Sequence, residues 1–340
     1  MIARPLSPAK VIYVSLGLFI LLLMVMLFSL YKGAVNIRLV DMLNAILGKG
    51  NDPGSIRLIL LKIRLPRILL AGAVGFILSL GGVVFQAILR NPLADPFILG
   101  VSSGSALGAI TGIIMGLSYR TGIPTMAFCG AIFTIVLVII IGKKGKEAET
   151  SNIILAGVII NAFFTAIIMF FIACSSNEKL HSMLSWLYGD LSQAYYAQFW
   201  IVFTVTICSF FILYLFSRHL NIITAGEEVA LQLGVDVEKV KWISLIVVSL
   251  SVGLAVSFSG LIGFAGLIVP HICRMIWGSD HRILIPSASL GGAVFLIAAD
   301  TFARTIIAPN ELPVGVVTAA IGAPFFIYLL IHRGSRWEQF

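Results

Sequence analysis

The sequence predicts an all-α, polytopic membrane protein of about ten transmembrane helices. Three observations predict it: the scarcity of charge, the length of the apolar runs, and the sorting of Lys and Arg between the two ends of those runs. Of 340 residues, 59% are hydrophobic, roughly 200 residues, and only 11% are charged. Soluble domains carry about a quarter charged residues. So few charges cannot cover an aqueous surface, which excludes a soluble globular enzyme, a disordered chain and a disulfide scaffold. One bilayer span takes about 20 apolar residues, so the apolar content fills about ten spans. The net charge of +8 suits anionic headgroups or an acidic partner.

Uncharged apolar runs fall at 11–31, 68–89, 97–119, 121–142, 152–174 and 197–217. The first, Val11 to Tyr31, is too long for a signal-peptide core and is read as a retained first span. The next run, Trp242 to Cys273, has 32 residues. As one helix it would reach about 48 Å, well beyond a core of about 30 Å. Its Ser257, Ser259, Gly260, Gly263, Gly266 and Pro270 place a break near 258–264, giving spans at 242–258 and 264–277. Two more follow at 283–303 and 314–331. The four cysteines, Cys129, Cys174, Cys208 and Cys273, form no metal-ligand or disulfide pattern and read as small buried hydrophobes.

With the N-terminus inside, inner segments hold thirteen Lys and Arg and outer segments ten. Seven of the ten lie in 32–67 (Lys32, Arg38, Lys49, Arg57, Lys62, Arg64, Arg67). Without that segment the bias fixes the orientation, with both termini cytoplasmic. The 32–67 segment reads either as a plain solvated loop or as a docking surface for an acidic partner. On the inner face, 218–241 reads as a short helix from Gly226 to Leu233, stopped by Gly234. It exposes Glu227 and Glu228 and offers Ala230, Leu231 and Leu233 as an apolar face, either as capping or as an insert into a cytoplasmic partner. Outside, Trp186, Tyr188, Tyr195, Tyr196 and Trp200 fit an interfacial aromatic belt, with ligand stacking as the alternative.

Gly100, Gly104, Gly108, Gly112 and Gly116 recur every four residues and form a smooth stripe for close helix packing. In loop 90–100, Pro92 and Pro96 forbid a continuous helix, and Asn91 and Asp95 offer acceptors to the freed backbone, which makes a rigid turn. Asp300 is an acid deep in an apolar run, with Arg304 four residues on and on the same helix face. The pair reads as a neutralised ion pair or as a proton relay. Arg64 and Arg67 precede the second span on the same outer side, where Pro66 suits a helix's first turn. Three arginines at one face offer planar forks to carboxylates. His271 reads as a packed histidine. No GxxxxGK[ST] loop, Ser/His/Asp set or paired carboxylates occur, so the chain is read as neither a catalyst nor an ATP binder.

The segments QAILRNPLADPFILGVSSGSALGA (86–109), GLIGFAGLIVPHICRM (260–275) and DTFARTIIAPNELPVGVVTAAIGAPFF (300–326) together resemble the FecCD-like permease subunits of iron-siderophore, haem and vitamin B12 ABC importers. The resemblance runs from about residue 10 to 333. It implies a type II ABC importer permease fold, a single transmembrane domain over 1–340 with a cytoplasmic coupling loop at 218–241, and a place in a prokaryotic inner membrane. It also implies a homodimer in lipid, two cytoplasmic subunits that bind ATP and Mg, and an extracytoplasmic substrate-binding protein. It implies no cofactor or metal in this chain and no nucleic-acid partner. By position it gives Arg64, Arg67 and Arg304 a role in docking the binding protein. Gly226, Glu227, Ala230, Leu233 and Gly234 match the loop that contacts the ATPase, and Thr150 and Ser151 match the cytoplasmic gate. Asn91, Pro92, Asp95, Pro96 and Asp300 are motif residues. One position departs: Asp190 stands where relatives carry Ser after Trp-x-x-Gly. The implied activity is ATP-driven import of a metal chelate by alternating access, with a proton-coupled transporter using Asp300 as the alternative.

Overall fold

The computed structural model describes residues 7–33, 35, 37–46, 53–142 and 150–333. Lys49, Arg4, Lys143, Lys144, Lys146 and Arg336 lie outside the described residues. Every regular element among the described residues is a helix. In chain order these are α1 (Pro8–Tyr31), α2 (Leu39–Ile46), α3 (Pro53–Leu58), a π-helical turn (Ile59–Arg64), α4 (Leu65–Ile88), α5 (Val101–Ile114), α6 (Gly122–Gly142), α7 (Thr150–Ala173) and α8 (Asn177–Leu187). There follow α9 (Tyr196–Leu215), α10 (Ser217–Ala225), α11 (Glu227–Gln232), α12 (Val237–Ser259), α13 (Ala265–Trp277), α14 (His281–Thr305) and α15 (Val314–Arg333). Among the described residues, seven helices are long and apolar enough to cross a membrane, and three shorter apolar helices lie at 101–114, 265–277 and 314–329.

Local chemistry sets the helix ends. Ser7 caps α1, its hydroxyl accepting from the Lys10 N–H, with Pro8 at the first helical position where no N–H is needed. Asp236 caps α12 through the Lys239 N–H at 3.0 Å. That helix stops at Gly260, and the chain is non-helical until Phe264, both residues at positive φ. The Phe264 ring lies against Gly322 of α15, where any Cβ would collide with it.

One boundary differs from the sequence reading. Pro66 does not open a helix, because the helical backbone is continuous from Gly54 to Ile88. A proline inside a helix clashes with the carbonyl four residues back. The turn before it is widened to π geometry, with Leu65 N–H reaching the Leu60 carbonyl. This widening gives the proline a place without ending the helix.

α4 is the centre of the bundle. In its most apolar window 89% of residues are buried, against none in α1, whose Leu16, Phe19, Leu23 and Leu27 face outward. α14, α12, α13 and α9 surround α4, α5 pairs with α6, and α1 lies along α14. The contact between α4 and α14 is backbone on backbone. A Cβ on Gly75 would overlap the Gly292 carbonyl, and a Cβ on Gly292 would overlap the Gly75 carbonyl. Gly104 of α5 and Gly130 of α6 form a second such pair. In lipid, where apolar side chains gain little by leaving the solvent, this close approach is a main source of helix association. Gly75→Ala should therefore destabilise the protein by about 1–3 kcal/mol. Gly17→Ala, at a position with nothing within 4 Å, should not. Thermal melts in detergent compare the two, and equal melting points would refute the packing account.

Candidate functional site

Where α4 begins and α14 ends, four charged groups interlock. Arg67 donates from Nε to both carboxylate oxygens of Asp300, at 3.0 and 3.2 Å, and its Nη2 lies 2.9 Å from Asp300 Oδ1. Its Nη1 donates to Glu311 Oε2 at 2.6 Å. Arg304 Nε sits 3.0 Å from Asp300 Oδ2 without hydrogen-bond geometry, so that attraction is charge to charge. Arg304 Nη2 donates to Ser29 Oγ at 2.8 Å, tying α14 to α1. Arg64 donates from Nη1 to the Leu30 and Tyr31 carbonyls at 2.8 and 3.0 Å, and from Nη2 to the Val35 carbonyl. The last carbonyls of α1 have no intrahelical partners, so Arg64 acts as a C-terminal cap supplied from elsewhere in the chain. Gly33 leaves the room for its guanidinium.

The sequence reading gave these three arginines forks open to a partner. The structure places them inside: Arg64, Arg67 and Arg304 are 4%, 7% and 3% exposed. A buried cation must be neutralised or hydrogen-bonded, and helices closing around this end supply both. Among the described residues, Lys32, Arg38, Arg57, Lys62, Arg120 and Lys179 are exposed cations.

Elsewhere lies a cavity of about 320 Å³, walled by Tyr119, His181, Trp186, Asp190, Gln198 and Ser257 among others. Asp190 accepts from the Ser192 N–H and hydroxyl at 2.7 and 2.8 Å. The aromatics divide: Trp186 is buried, Tyr196 donates to the Leu61 carbonyl at 2.5 Å, Arg120 stacks 5.2 Å from the Tyr195 ring, and Trp200 stays exposed.

At the opposite end, α10 and α11 lie side by side. Gly226 and Gly234, both at positive φ, bound α11. Ala230 does not belong to a free apolar face: it is fully buried against the bundle and anchors the helix. Val229, Leu231 and Leu233 are the exposed apolar residues. Glu227 pairs with Lys241 of α12 at 2.6 Å. Asn221 ties α10 to the start of α14, donating to Asp280 at 2.9 Å and accepting from the His281 N–H at 2.8 Å.

The FecCD transport family model matches residues 21–332. The chain belongs to the FecCD transport family. It is 41% identical over 84% of its length to the cobalamin import system permease protein BtuC of Halobacterium salinarum, covering 76% of that protein. It is 38% identical over 81% of its length to the hemin transport system permease protein HmuU of Yersinia pestis, covering 84% of that protein. A solved ABC transporter described as of metal-chelate type, in an inward-facing conformation, superposes with a TM-score of 0.84 at 33% identity, covering 94% of this chain and 99% of that one. The fold is that of a type II ABC importer permease.

In this FecCD permease, loop 90–100 is held by its own side chains. Asn91 Oδ1 accepts from the Leu93 N–H and Asp95 Oδ1 from the Phe97 N–H, each at 2.9 Å. Pro96 packs against Gly81 and Gly266, and Pro92 lines a second cavity where α4 ends. Burial lifts the Asp95 carboxyl to about 6, against the stabilising Phe97 N–H. Thr150 and Ser151 are the first two residues of α7. His271 meets the Phe325 ring edge-on at 6.1 Å. Glu311, Ser29, Asn221 and Lys241 complete these clusters, and sequence reasoning missed all four. Only Glu311 carried a signal, since it lies in the same 300–326 segment as Asp300 and Arg304.

Two outcomes follow. Asp300→Asn leaves two buried guanidiniums short of a counter-charge and should cost about 3–5 kcal/mol. Glu311→Gln, at a half-exposed carboxylate, should cost about 1 kcal/mol or less. Denaturation midpoints order the pair, and equal losses would contradict the cluster's reading. For Asp95 the folded state holds its proton more tightly than the unfolded chain. Its contribution is therefore favourable below the ordinary carboxylate range and is lost as pH rises through about 6. Asp95→Asn keeps the turn acceptor, so its gain in melting temperature over the parent should grow from about pH 4 to about pH 8. A pH-independent difference would refute this.

Proposed function

We propose that this chain is the membrane-spanning subunit of an ATP-driven importer of a metal chelate, of the ferric siderophore, haem or cobalamin class. The observation that carries the reading is the family match across 21–332, joined to an inner helical element built for contact. The relatives named for cobalamin and hemin transport support the chelate class. The chain has no phosphate-binding loop of its own. Hydrolysis of ATP with Mg therefore falls to two partner subunits at the inner face. Two copies of the chain form the pathway, in a prokaryotic inner membrane with both termini cytoplasmic, and alternate its access.

At the inner face, Gly226, Glu227, Ala230, Leu233 and Gly234 form the coupling element. Ala230 seats it, Leu231 and Leu233 are offered to the partner, and the Glu227–Lys241 pair carries its movement to α12. Thr150 and Ser151 stand at the cytoplasmic gate. At the outer face, a loaded binding protein is steered by the exposed cations Arg38, Arg57 and Lys62. Its glutamates engage Arg64, Arg67 and Arg304 by entering the buried cluster, where the half-exposed Glu311 is the member they displace. The proton-relay alternative is disfavoured because Asp300 is fully buried between two guanidiniums.

Arg57→Glu combined with Lys62→Glu should weaken binding-protein docking in proteoliposomes by about tenfold or more, with the loss largest at low salt. Unchanged docking would sink the outer-face assignment. Glu227→Ala should leave ATPase activity in place while chelate uptake falls. Retained coupling would remove the inner-face role.

A further inference from the structure

Asp190 and Arg120 take no part in the assignments made above, and each is a charge that the described residues leave unpaired. Asp190 lines the cavity of about 320 Å³. Its main-chain N–H is tied inward to the Ser259 carbonyl at 2.9 Å. Its carboxylate accepts one hydrogen bond on each oxygen, both from the exposed Ser192, at 2.7 and 2.8 Å. An ionised carboxylate has about four acceptor positions, so half of its capacity is open. Ser182, Ser185 and Gln193 add further oxygens to the wall, and Tyr119 and Trp186 add aromatic rings. No Lys or Arg lines this cavity.

An adjoining cavity of about 300 Å³ shares Pro124, Gln198, Ser257 and Phe258 with the first. It is a groove between α6 and α9, both of which pack on α12. Phe128 of α6 and the exposed Ile201 of α9 form its sides, and Leu254 and Phe258 of α12 form its floor. No acid lines it, and its one charged residue is the exposed Arg120. That guanidinium lies 5.2 Å from the Tyr195 ring and has no hydrogen-bond or ion-pair partner among the described residues. Gln198 stands at the junction of the two cavities. Its Oε1 accepts from the Tyr195 N–H at 3.1 Å, which leaves Nε2 to donate.

The combined wall therefore presents a carboxylate in one part, a guanidinium in the other, and an apolar groove between two membrane helices. α6 and α9 begin here and α12 ends here, and Tyr119 and Tyr195 are exposed. Tyr at helix ends sits at the depth of lipid headgroups. A ligand that satisfies the whole wall brings a cation for Asp190, an oxyanion for Arg120 and an apolar chain for the groove. A primary ammonium carries three hydrogens for the carboxylate and is tolerated beside aromatic faces. A phosphate matches the fork of an arginine. A glycerophospholipid with an amine headgroup has all three parts, whereas phosphatidylglycerol lacks the cation.

We propose that the two cavities together form a binding site for an aminophospholipid of the phosphatidylethanolamine class. The ammonium sits at Asp190, the phosphate at Arg120, and one acyl chain lies between α6 and α9. Such a site is independent of which substrate the chain carries.

The test uses the full chain, delipidated in detergent and given equimolar dioleoyl phosphatidylethanolamine and dioleoyl phosphatidylglycerol. Native mass spectrometry then counts the first lipid retained. Phosphatidylethanolamine should be retained about fivefold or more over phosphatidylglycerol, because only its ammonium makes a charge-assisted bond to Asp190. Asp190→Asn keeps an acceptor for Ser192 and removes the charge, so the two lipids should be retained equally. Arg120→Gln should lower the retention of both. Lys32→Gln, at another exposed cation, should change neither. Should Asp190→Asn fail to fold, the parent's preference and the contrast of Arg120→Gln with Lys32→Gln still decide the matter. Equal retention of the two lipids by the parent would overturn the site. So would an undiminished preference in Asp190→Asn, or equal effects of Arg120→Gln and Lys32→Gln.

Discussion

Everything in this bundle rests on the backbone contact of α4 with α14. Gly75 and Gly292 let the two helices touch carbonyl to Cα, and that approach buries α4 on all sides. A helix so enclosed has no lipid-facing stripe, so its polar residues must find partners within the protein. Gln86 at one end does so with Arg274, and Arg67 at the other with Asp300 and Glu311. The two ends of α4 are therefore the two places where chemistry concentrates.

The Arg67–Asp300–Arg304 cluster shows how burial changes what a charge can do. An exposed arginine attracts partners through solvent and is weakened by salt. Arg64 instead completes the end of α1, and Arg67 and Arg304 share one carboxylate between α4 and α14. These groups fix the relative positions of three helices where α4 begins and α1 and α14 end. A partner that engages them must exchange one carboxylate for another, so docking and the position of the helix ends are physically linked. At the other end of the bundle, smaller pieces tie the helices together. Ala230 and Asn221 root α11 and α10 in the bundle, and the Glu227–Lys241 pair joins them to α12.

The sites were legible in the sequence to different degrees. The break between α12 and α13 was readable because glycines and serines interrupt a run too long for the bilayer. The Asp300–Arg304 pair was readable from its four-residue spacing. The turn at 90–100 was readable because Asn91 and Asp95 act on backbone two residues away. The inward turn of Ala230 was not, since an alanine on a short amphipathic helix fits either face. Nor was the burial of the three arginines, because their partners Leu30, Val35, Ser29 and Glu311 lie elsewhere in the chain. The continuous helix through Pro66 was also hidden, because the proline rule marks a boundary and a π turn is the less common way around it.

What the sequence by itself determined was the solvent, the helical class and the family. Apolar content, run length and long mixed-composition motifs are properties of the chain read in order. What only the tertiary structure decided was which side of each helix faces protein, and hence which charges are free. Arg64 and Lys62 stand two residues apart, one capping another helix inside the bundle and one in the open. That difference depends on a contact 34 residues distant, and helical periodicity alone does not say which face the rest of the chain will cover.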